Sequence, residues 1–325
     1  IDSFNSDDPL GYIDELQKSF ELKQNENLPI FNGGLVGYFG YDCVRYIENK
    51  LVDSEPPDQI GTPDALFMIS DEVAVFDNLK NKLHLIVLIE SPDDEEQANA
   101  RLDELEDNLK TSLPFEDFVK PVKSIEEKDF VSGFGEQEFK NSVKKAKKYI
   151  ESGDIMQVVC SQRMSIPFNA DPVALYRSIR QLNPSPYMYY LNLKEFHIVG
   201  SSPEILARLE DGKITVRPIA GTRRRGKDEE DDMAMQEDMV NDPKEIAEHL
   251  MLIDLGRNDV GRVAKPGTVK VTEKFGIEKY SHVMHMVSNV EADLNEGLSA
   301  IDLFKATFPA GTVSGAPKVR AMEII

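Results

Sequence analysis

The chain has 325 residues, enough to bury a large core and to form two subdomains. Its 37 basic residues against 58 acidic ones leave a net charge of −21, which argues against nucleic acid or anionic membrane as main partners but permits an anionic small substrate whose charge a metal or local arginines offset. Two cysteines, Cys43 and Cys160, exclude a disulfide framework and point to a reducing, cytoplasmic compartment, with no visible leader and no apolar run near the ~20 residues needed to span a bilayer.

Residues 9–22 read as a helix with Leu10, Ile13, Leu16 and Phe20 on one side. Gly33, Gly34, Gly37 and Gly40 mark a strand or turn whose backbone approaches something closely. A phosphate-cradling loop is rejected there, because no lysine followed by Ser or Thr stands at Walker spacing. Residues 49–63 read as a polar loop with Pro56, Pro57 and Pro63. Apolar strands at 72–76 and 82–89 form a hairpin. Ser91 and Pro92 open an acidic helix whose narrow apolar edge is Leu102, Leu105 and Leu109. Between 111 and 135, Pro114, Pro121, Gly133 and Gly135 punctuate a charged linker that divides a 1–122 subdomain from a 123–325 domain.

The next helix turns Phe139, Val143, Ala146 and Ile150 inward, keeps a lysine-rich solvated face and ends at Gly153. Residues 153–163 read as a buried strand, in which Gln157, Gln162 and Arg163 need partners or serve a ligand. A helix starts at Asp171 and Pro172 and ends near 183–186; strands follow at 187–190 and 196–201. Glu204, between Pro203 and apolar Ile205, is either a carboxylate with a raised pKa fit for general-acid work or the cap of a turn. Ile205, Ala207 and Leu209 alternate, Asp211 and Gly212 turn, and Ile214 and Val216 alternate back, which is a hairpin pattern.

A strand then ends in a turn at Ala220, Gly221 and Thr222, followed by three arginines, an acidic run and a helix with Asp242 as N-cap and Pro243 in first position. Ile246, Leu250 and Ile253 make that helix's buried stripe. Glu245 and Glu248 share one face, so they repel unless a cation sits between them; spacing alone favours a solvated acidic face. A further strand covers 269–272. His282 and His285, with the glutamates upstream, suit a zinc site, although each by itself is more often a satisfied structural histidine. Residues 312–318 form a polar glycine loop opening a helix whose N–H groups suit an anion. With Ile1 in first place and an apolar helix cut at 321–325, the chain reads as trimmed at both ends. Short-turned strands with flanking helices make the fold class α+β and largely antiparallel, rather than parallel and doubly wound.

Seven segments in order, 153–163, 183–190, 200–204, 217–226, 242–259, 280–285 and 312–318, together resemble the chorismate-utilising enzyme family. The resemblance is weak before residue 120 and strong from 130 onward. It implies a fold of two antiparallel sheets sandwiched by helices. It implies Mg²⁺ held by Glu245 and Glu248, which lets an acidic pocket accept chorismate and its two carboxylates. It makes Gly221, Thr222 and Thr312 substrate contacts. Thr222 also counts as catalytic, together with Glu204, the general acid for the departing ring hydroxyl, and His285, near the reacting ring.

Two positions choose within the family. Gln157 stands where members that add water carry a lysine base, which implies ammonia as nucleophile. Ala220 stands where aminodeoxychorismate-forming members often carry a lysine. The resemblance therefore points to the anthranilate synthase branch: a lyase of tryptophan biosynthesis that turns chorismate and ammonia into anthranilate and pyruvate, with a glutamine amidotransferase subunit supplying the ammonia. Aminodeoxychorismate synthesis is the runner-up, and a metal-dependent hydrolase is more distant. Pro186, Tyr187 and Met188 match one half of a tryptophan feedback site; without the resemblance they read as a proline turn with core aromatics. Arg224 stands where the family usually has proline. The strand bearing the Leu-Glu-Ser half of that site is not found. Neither is the family's later part, with a tyrosine and an arginine for the substrate carboxylates, a Gly-Ala-Gly loop and further magnesium glutamates. The chain alone is therefore expected neither to bind chorismate tightly nor to turn it over.

Overall fold

The computed structural model describes residues 6–20, 27–111 and 125–325. It divides into two compact units, Ile1–Tyr46 with Pro56–Phe118, and Ile47–Glu55 with Val119–Ile325. The expected boundary at 122/123, Pro114 and Pro121 of the linker, and positions 21–22 of the first helix lie outside the described residues.

In the first unit, helix α1 (Pro9–Ser19) starts where Asp8 Oδ1 accepts from the Gly11 N–H at 2.9 Å, with Pro9 in the first turn. Strand β1 (Gly34–Phe39) pairs antiparallel with β2 (Ala65–Ser70). The close approach read from the glycine run is that of Gly37: a Cβ there would sit 1.9 Å from the Leu66 carbonyl oxygen. The expected hairpin forms as β3 (Glu72–Asp77) and β4 (Lys82–Val87). Helix α2 (Glu95–Lys110) buries no residue completely, and Arg101 ties it to β3 by a two-pronged bond to Glu72 at 2.7 and 2.9 Å. Cys43 is buried, and burial pushes its thiol up to about 12, so it is a packing residue rather than a nucleophile.

The second unit opens with a 3₁₀ turn at Asn49–Ser54, where a plain loop was expected. Strand β5 (Val131–Ser132) precedes α3 (Glu136–Glu151), whose Ala146 is buried while Val143 and Ile150 stay 36% and 43% exposed, so its inward stripe is narrower than its spacing suggests. The expected strand over 153–163 shrinks to β6 (Gln157–Val158), followed by β7 (Met164–Ser165), which pairs with β5. An apolar run marks burial, but a strand also needs a neighbour to bond, and only two residues find one. Helix α4 (Pro172–Leu182), capped by Asp171, leads to the hairpin of β8 (Tyr187–Asn192) and β9 (His197–Ser202).

Next come β10 (Arg208–Glu210), β11 (Lys213–Val216) and β12 (Ile219–Arg224). The turn expected at 220–222 is a correction: the strand runs through, with a bulge between Ala220 and Thr222. The acidic run is also a helix, α5 (Glu229–Asn241), capped by Asp228 and started by four acidic residues that suit a helix N-terminus. Helix α6 (Pro243–Gly261) begins as expected at Asp242 and Pro243. Its buried residues are His249, Leu252, Ile253, Gly256 and Val260, while Leu250 is 39% exposed, so the buried stripe lies beside the one expected. Strand β13 (Lys270–Lys279) extends well past 272 and pairs with β14 (Val283–Asp293). Helix α7 (Ala300–Thr307), β15 (Gly315–Ala316), which pairs with β6, and α8 (Lys318–Ile324) complete the chain.

Every pairing among the described residues is antiparallel, and the largest sheet has five strands built on β14, which bonds β11, β12 and β13. Alternate residues of a strand share a face. On β14, Met284 and Met286 pack with Met239 of α5, Ser288 meets His249 of α6, and Ala292 clusters with Val260 of α6 and Leu303 and Ala306 of α7. One face of the sheet thus carries α5, α6 and α7 side by side. Among the described residues no helix is long and apolar enough to cross a membrane.

Candidate functional site

The bulge in β12 centres on Gly221, whose φ of +66° is left-handed backbone that glycine takes without steric cost. Two consecutive positions there oppose one residue of β14, and Thr222 lands across from His285. A Cβ at Gly221 would lie 3.3 Å from Met239 Sδ and 3.4 Å from Glu245 Oε2, so the missing side chain makes room for both helices. The Gly221 carbonyl accepts from His285 Nδ1 at 3.0 Å, and Thr222 Oγ1 lies 3.1 Å from the same nitrogen. A carbonyl only accepts, so Nδ1 carries a proton, and in the neutral ring the lone pair is then on Nε2. The Tyr280 ring stands edge-on to His285 at 5.5 Å. Behind it Tyr280 donates to Glu278 Oε2 at 2.7 Å, and Arg217 holds the other oxygen of Glu278. Burial and the Glu278 charge push the Tyr280 hydroxyl up to about 12.

Glu245 and Glu248 project from the first two turns of α6. Neither points into bulk water. Arg223 Nη1 donates to Glu245 Oε1 at 3.2 Å, and Gln157 Nε2 makes a long contact of 3.5 Å to Glu248 Oε1. Gln157 Oε1 is buried without a hydrogen-bond partner beside it. These side chains offer oxygens only, the donor type that suits a hard cation such as Mg²⁺, which needs few protein ligands. Zinc favours nitrogen and sulfur donors, and neither histidine is placed beside them. Among the described residues no three His, Cys, Asp or Glu side chains gather as a metal-binding group, and His282 is exposed with its Nδ1 on Ser281.

Glu204 and Thr312 form a second group. Thr312 Oγ1 donates to Glu204 Oε2 at 3.3 Å, in the wall of a cavity of about 40 Å³ that Asp259, Pro218 and Gly311 also line. Burial pushes the Glu204 carboxyl up to about 7, and the Thr312 bond only partly offsets it. Lys318 donates to Asp259 at 2.7 Å behind the cavity; burial raises the Asp259 pKa and lowers that of Lys318, each against the pull of the other's charge. Pro186 stands just before β8, with Tyr187 and Met188 its first two residues; Pro186 is exposed and Tyr187 Oη accepts from Arg208 Nη2 at 2.9 Å. Arg224, in the family's proline position, pairs with Asp231 at 2.8 Å.

Sequence reading overlooked His249. Its ring is fully buried, with Nε2 2.7 Å from Ser288 Oγ, and burial lowers its pKa to about 4. Its place one residue after Glu248 was the available signal. Arg223 was read only as part of an arginine run, and the Lys318–Asp259 pair spans 59 positions that no local pattern connects.

The sequence profile of chorismate binding enzymes matches residues 1–325. Curated proteins described as anthranilate synthase component 1 are 54% identical over 325 residues in Pseudomonas aeruginosa and 53% over 324 residues in Neisseria meningitidis, covering 99% and 98% of this chain. The chain spans just under two thirds of those relatives, 66% and 65% of their lengths. The crystal structure of anthranilate synthase component I from Streptococcus pneumoniae is 38% identical with a TM-score of 0.87, over 98% of this chain and 69% of that one. A menaquinone-specific isochorismate synthase from Escherichia coli, 18% identical with a TM-score of 0.61 over 90% of this chain and 68% of that one, shares the fold. The α+β, antiparallel expectation is that fold. With its whole length matched by the profile and more than half its residues shared with full-coverage relatives, this chain belongs to the family of chorismate binding enzymes.

Proposed function

We propose that the chain carries the chorismate-converting chemistry of an anthranilate synthase component 1: chorismate and ammonia give anthranilate, pyruvate and water. The observation that carries this reading is the meeting at Gly221 of His285 on one side and Glu245 on the other, in a chain 54% identical to a protein of that name. The runner-up, aminodeoxychorismate synthesis, has only a methyl group at Ala220 where it wants an amine.

Glu245 and Glu248 are the proposed holders of Mg²⁺, with Gln157 Oε1 adjacent. When bound, the ion supplies positive charge between acidic side chains and a doubly negative substrate. Glu204, still protonated near neutral pH, gives its proton to the departing ring hydroxyl while ammonia forms the new C–N bond and later loses a proton. Thr222, Gly221 and Thr312 contact the substrate. His285 Nε2, with its lone pair free, takes the ring proton as the enolpyruvyl C–O bond breaks and the ring becomes aromatic. A glutamine amidotransferase subunit supplies ammonia in the cytoplasm, and Pro186, Tyr187 and Met188 form part of a tryptophan-sensing site.

The test supplies the intact protein with chorismate, ammonium and Mg²⁺ and follows anthranilate fluorescence together with released pyruvate. Equal amounts of both support the reading. An amino product that yields pyruvate only after a separate lyase is added overturns it.

A further inference from the structure

Arg223 has no role in the chemistry above, yet its guanidinium is the most heavily engaged group beside it. Its side chain is 19% exposed. Nε donates to Asp238 near the end of α5 at 2.6 Å, and Nη2 to Asp242, the N-cap of α6, at 2.9 Å. Nη1 is shared between Glu245 Oε1 at 3.2 Å and the Thr222 carbonyl at 3.1 Å. Gly221 and Arg223 both face the helices: a Cβ at Gly221 would meet Met239 and Glu245, and Arg223 reaches Asp238, Asp242 and Glu245. Glu245 therefore has one oxygen tied to the guanidinium, while the other is turned toward Gly221.

Two opposite consequences for a cation at Glu245 follow from elementary physics. A positive charge this close repels a second cation, so an arginine that acts only by its charge weakens binding. A rigid fork anchored on Asp238 and Asp242 instead places its remaining nitrogen to hold one oxygen of Glu245. A ligand whose geometry is set in advance by outer partners binds metal better. Three acids, Asp238, Asp242 and Glu245, converge here. A shared donor holds together acids that would otherwise repel one another, and this geometry favours the orienting effect.

We infer that Arg223 is a positioning residue for Glu245: it holds Oε1 so that Oε2 stays presented at the Gly221 bulge for a divalent cation. This rests on the proposed cation role of Glu245. The test is direct binding of Mn²⁺, a Mg²⁺ stand-in whose free ion gives an EPR signal, to the intact protein and to Glu245→Gln, Arg223→Gln and Arg223→Lys variants, without substrate. Mn²⁺ affinity is expected to fall ~10–100-fold in both arginine variants, the usual loss when an outer partner is removed. The lysine variant keeps the charge but loses the fork, so it decides the matter even if the glutamine variant folds poorly. Affinity unchanged or increased in the lysine variant overturns the inference. If the unaltered protein binds no Mn²⁺, or Glu245→Gln binds it equally, the cation reading itself fails and Arg223 loses this role with it.

Discussion

Glu204 illustrates how one side chain's surroundings decide its chemistry. Flanking apolar residues in the sequence suggested a raised pKa, and the structure supplies the cause: burial beside a small cavity, only partly offset by the Thr312 hydroxyl. The linkage has a definite sign. The unfolded carboxyl ionises near 4.5 and the folded one at about 7, so across that interval the unfolded state holds fewer protons and stability falls as pH rises. Glu204→Gln cannot ionise. In the intact protein it is expected to match the parent's thermal stability at pH 4 and exceed it at pH 8 by up to about 3 kcal/mol, while losing ~10²–10⁴-fold in kcat, the range for a general acid. Thermal unfolding at both pH values and steady-state kinetics check this. An activity loss without the pH-dependent gain in stability means that the carboxyl is not held neutral. His249 was invisible for the converse reason: spacing shows which residues share a helix face, not which face ends up against Ser288.

At the scale of elements, β12 with its bulge and α6 with its caps do most of the placing. Two helix starts were legible because capping is local: Asp171 and Asp242 each bond an N–H two residues on. The interior of α6 was less so, since its buried face is set by what it packs against, Ser288 and the cluster around Ile214 and Ala292. Helix α5 is held by Met239 against Met284 and Met286, by its cap and by arginine pairs from β12 and the segment after it, but its few apolar residues sit in an acidic run that hid it from a periodicity reading. The bulge was misread as a turn because a glycine with positive φ serves either. Gly221→Ala tests its role. A left-handed φ costs a residue with a Cβ about 1–2 kcal/mol. The new methyl would also press on Met239 and Glu245 at 3.3 and 3.4 Å. The expected result is that loss of stability in urea denaturation, with a larger loss of activity because His285 loses its fixed acceptor. Unchanged stability means that the strand can flatten without the bulge.

At the scale of the whole chain, a net charge of −21 contributes a negative long-range field to the intact protein in which KM is measured. On the proposed function the substrate is also negative, so encounter is opposed, and salt should help rather than hinder. Raising NaCl from about 0.02 to about 0.2 M shortens the Debye length to under ~10 Å, and KM for chorismate is expected to fall about twofold at saturating Mg²⁺. A rise in KM would show that a local positive field at the cleft dominates instead. By itself the sequence determined the class of this protein: α+β with antiparallel pairing, helix starts, the absence of a disulfide framework, and the order of the motifs that mark the chorismate binding family. Those are matters of composition, short-range hydrogen bonding and spacing. Tertiary structure decided which of the marked residues meet. Gly221 faces Glu245 across 24 positions and bonds His285 across 64, and Thr312 reaches Glu204 across 108. Strand pairing and helix packing close those distances, through surfaces that exist only once the chain has folded.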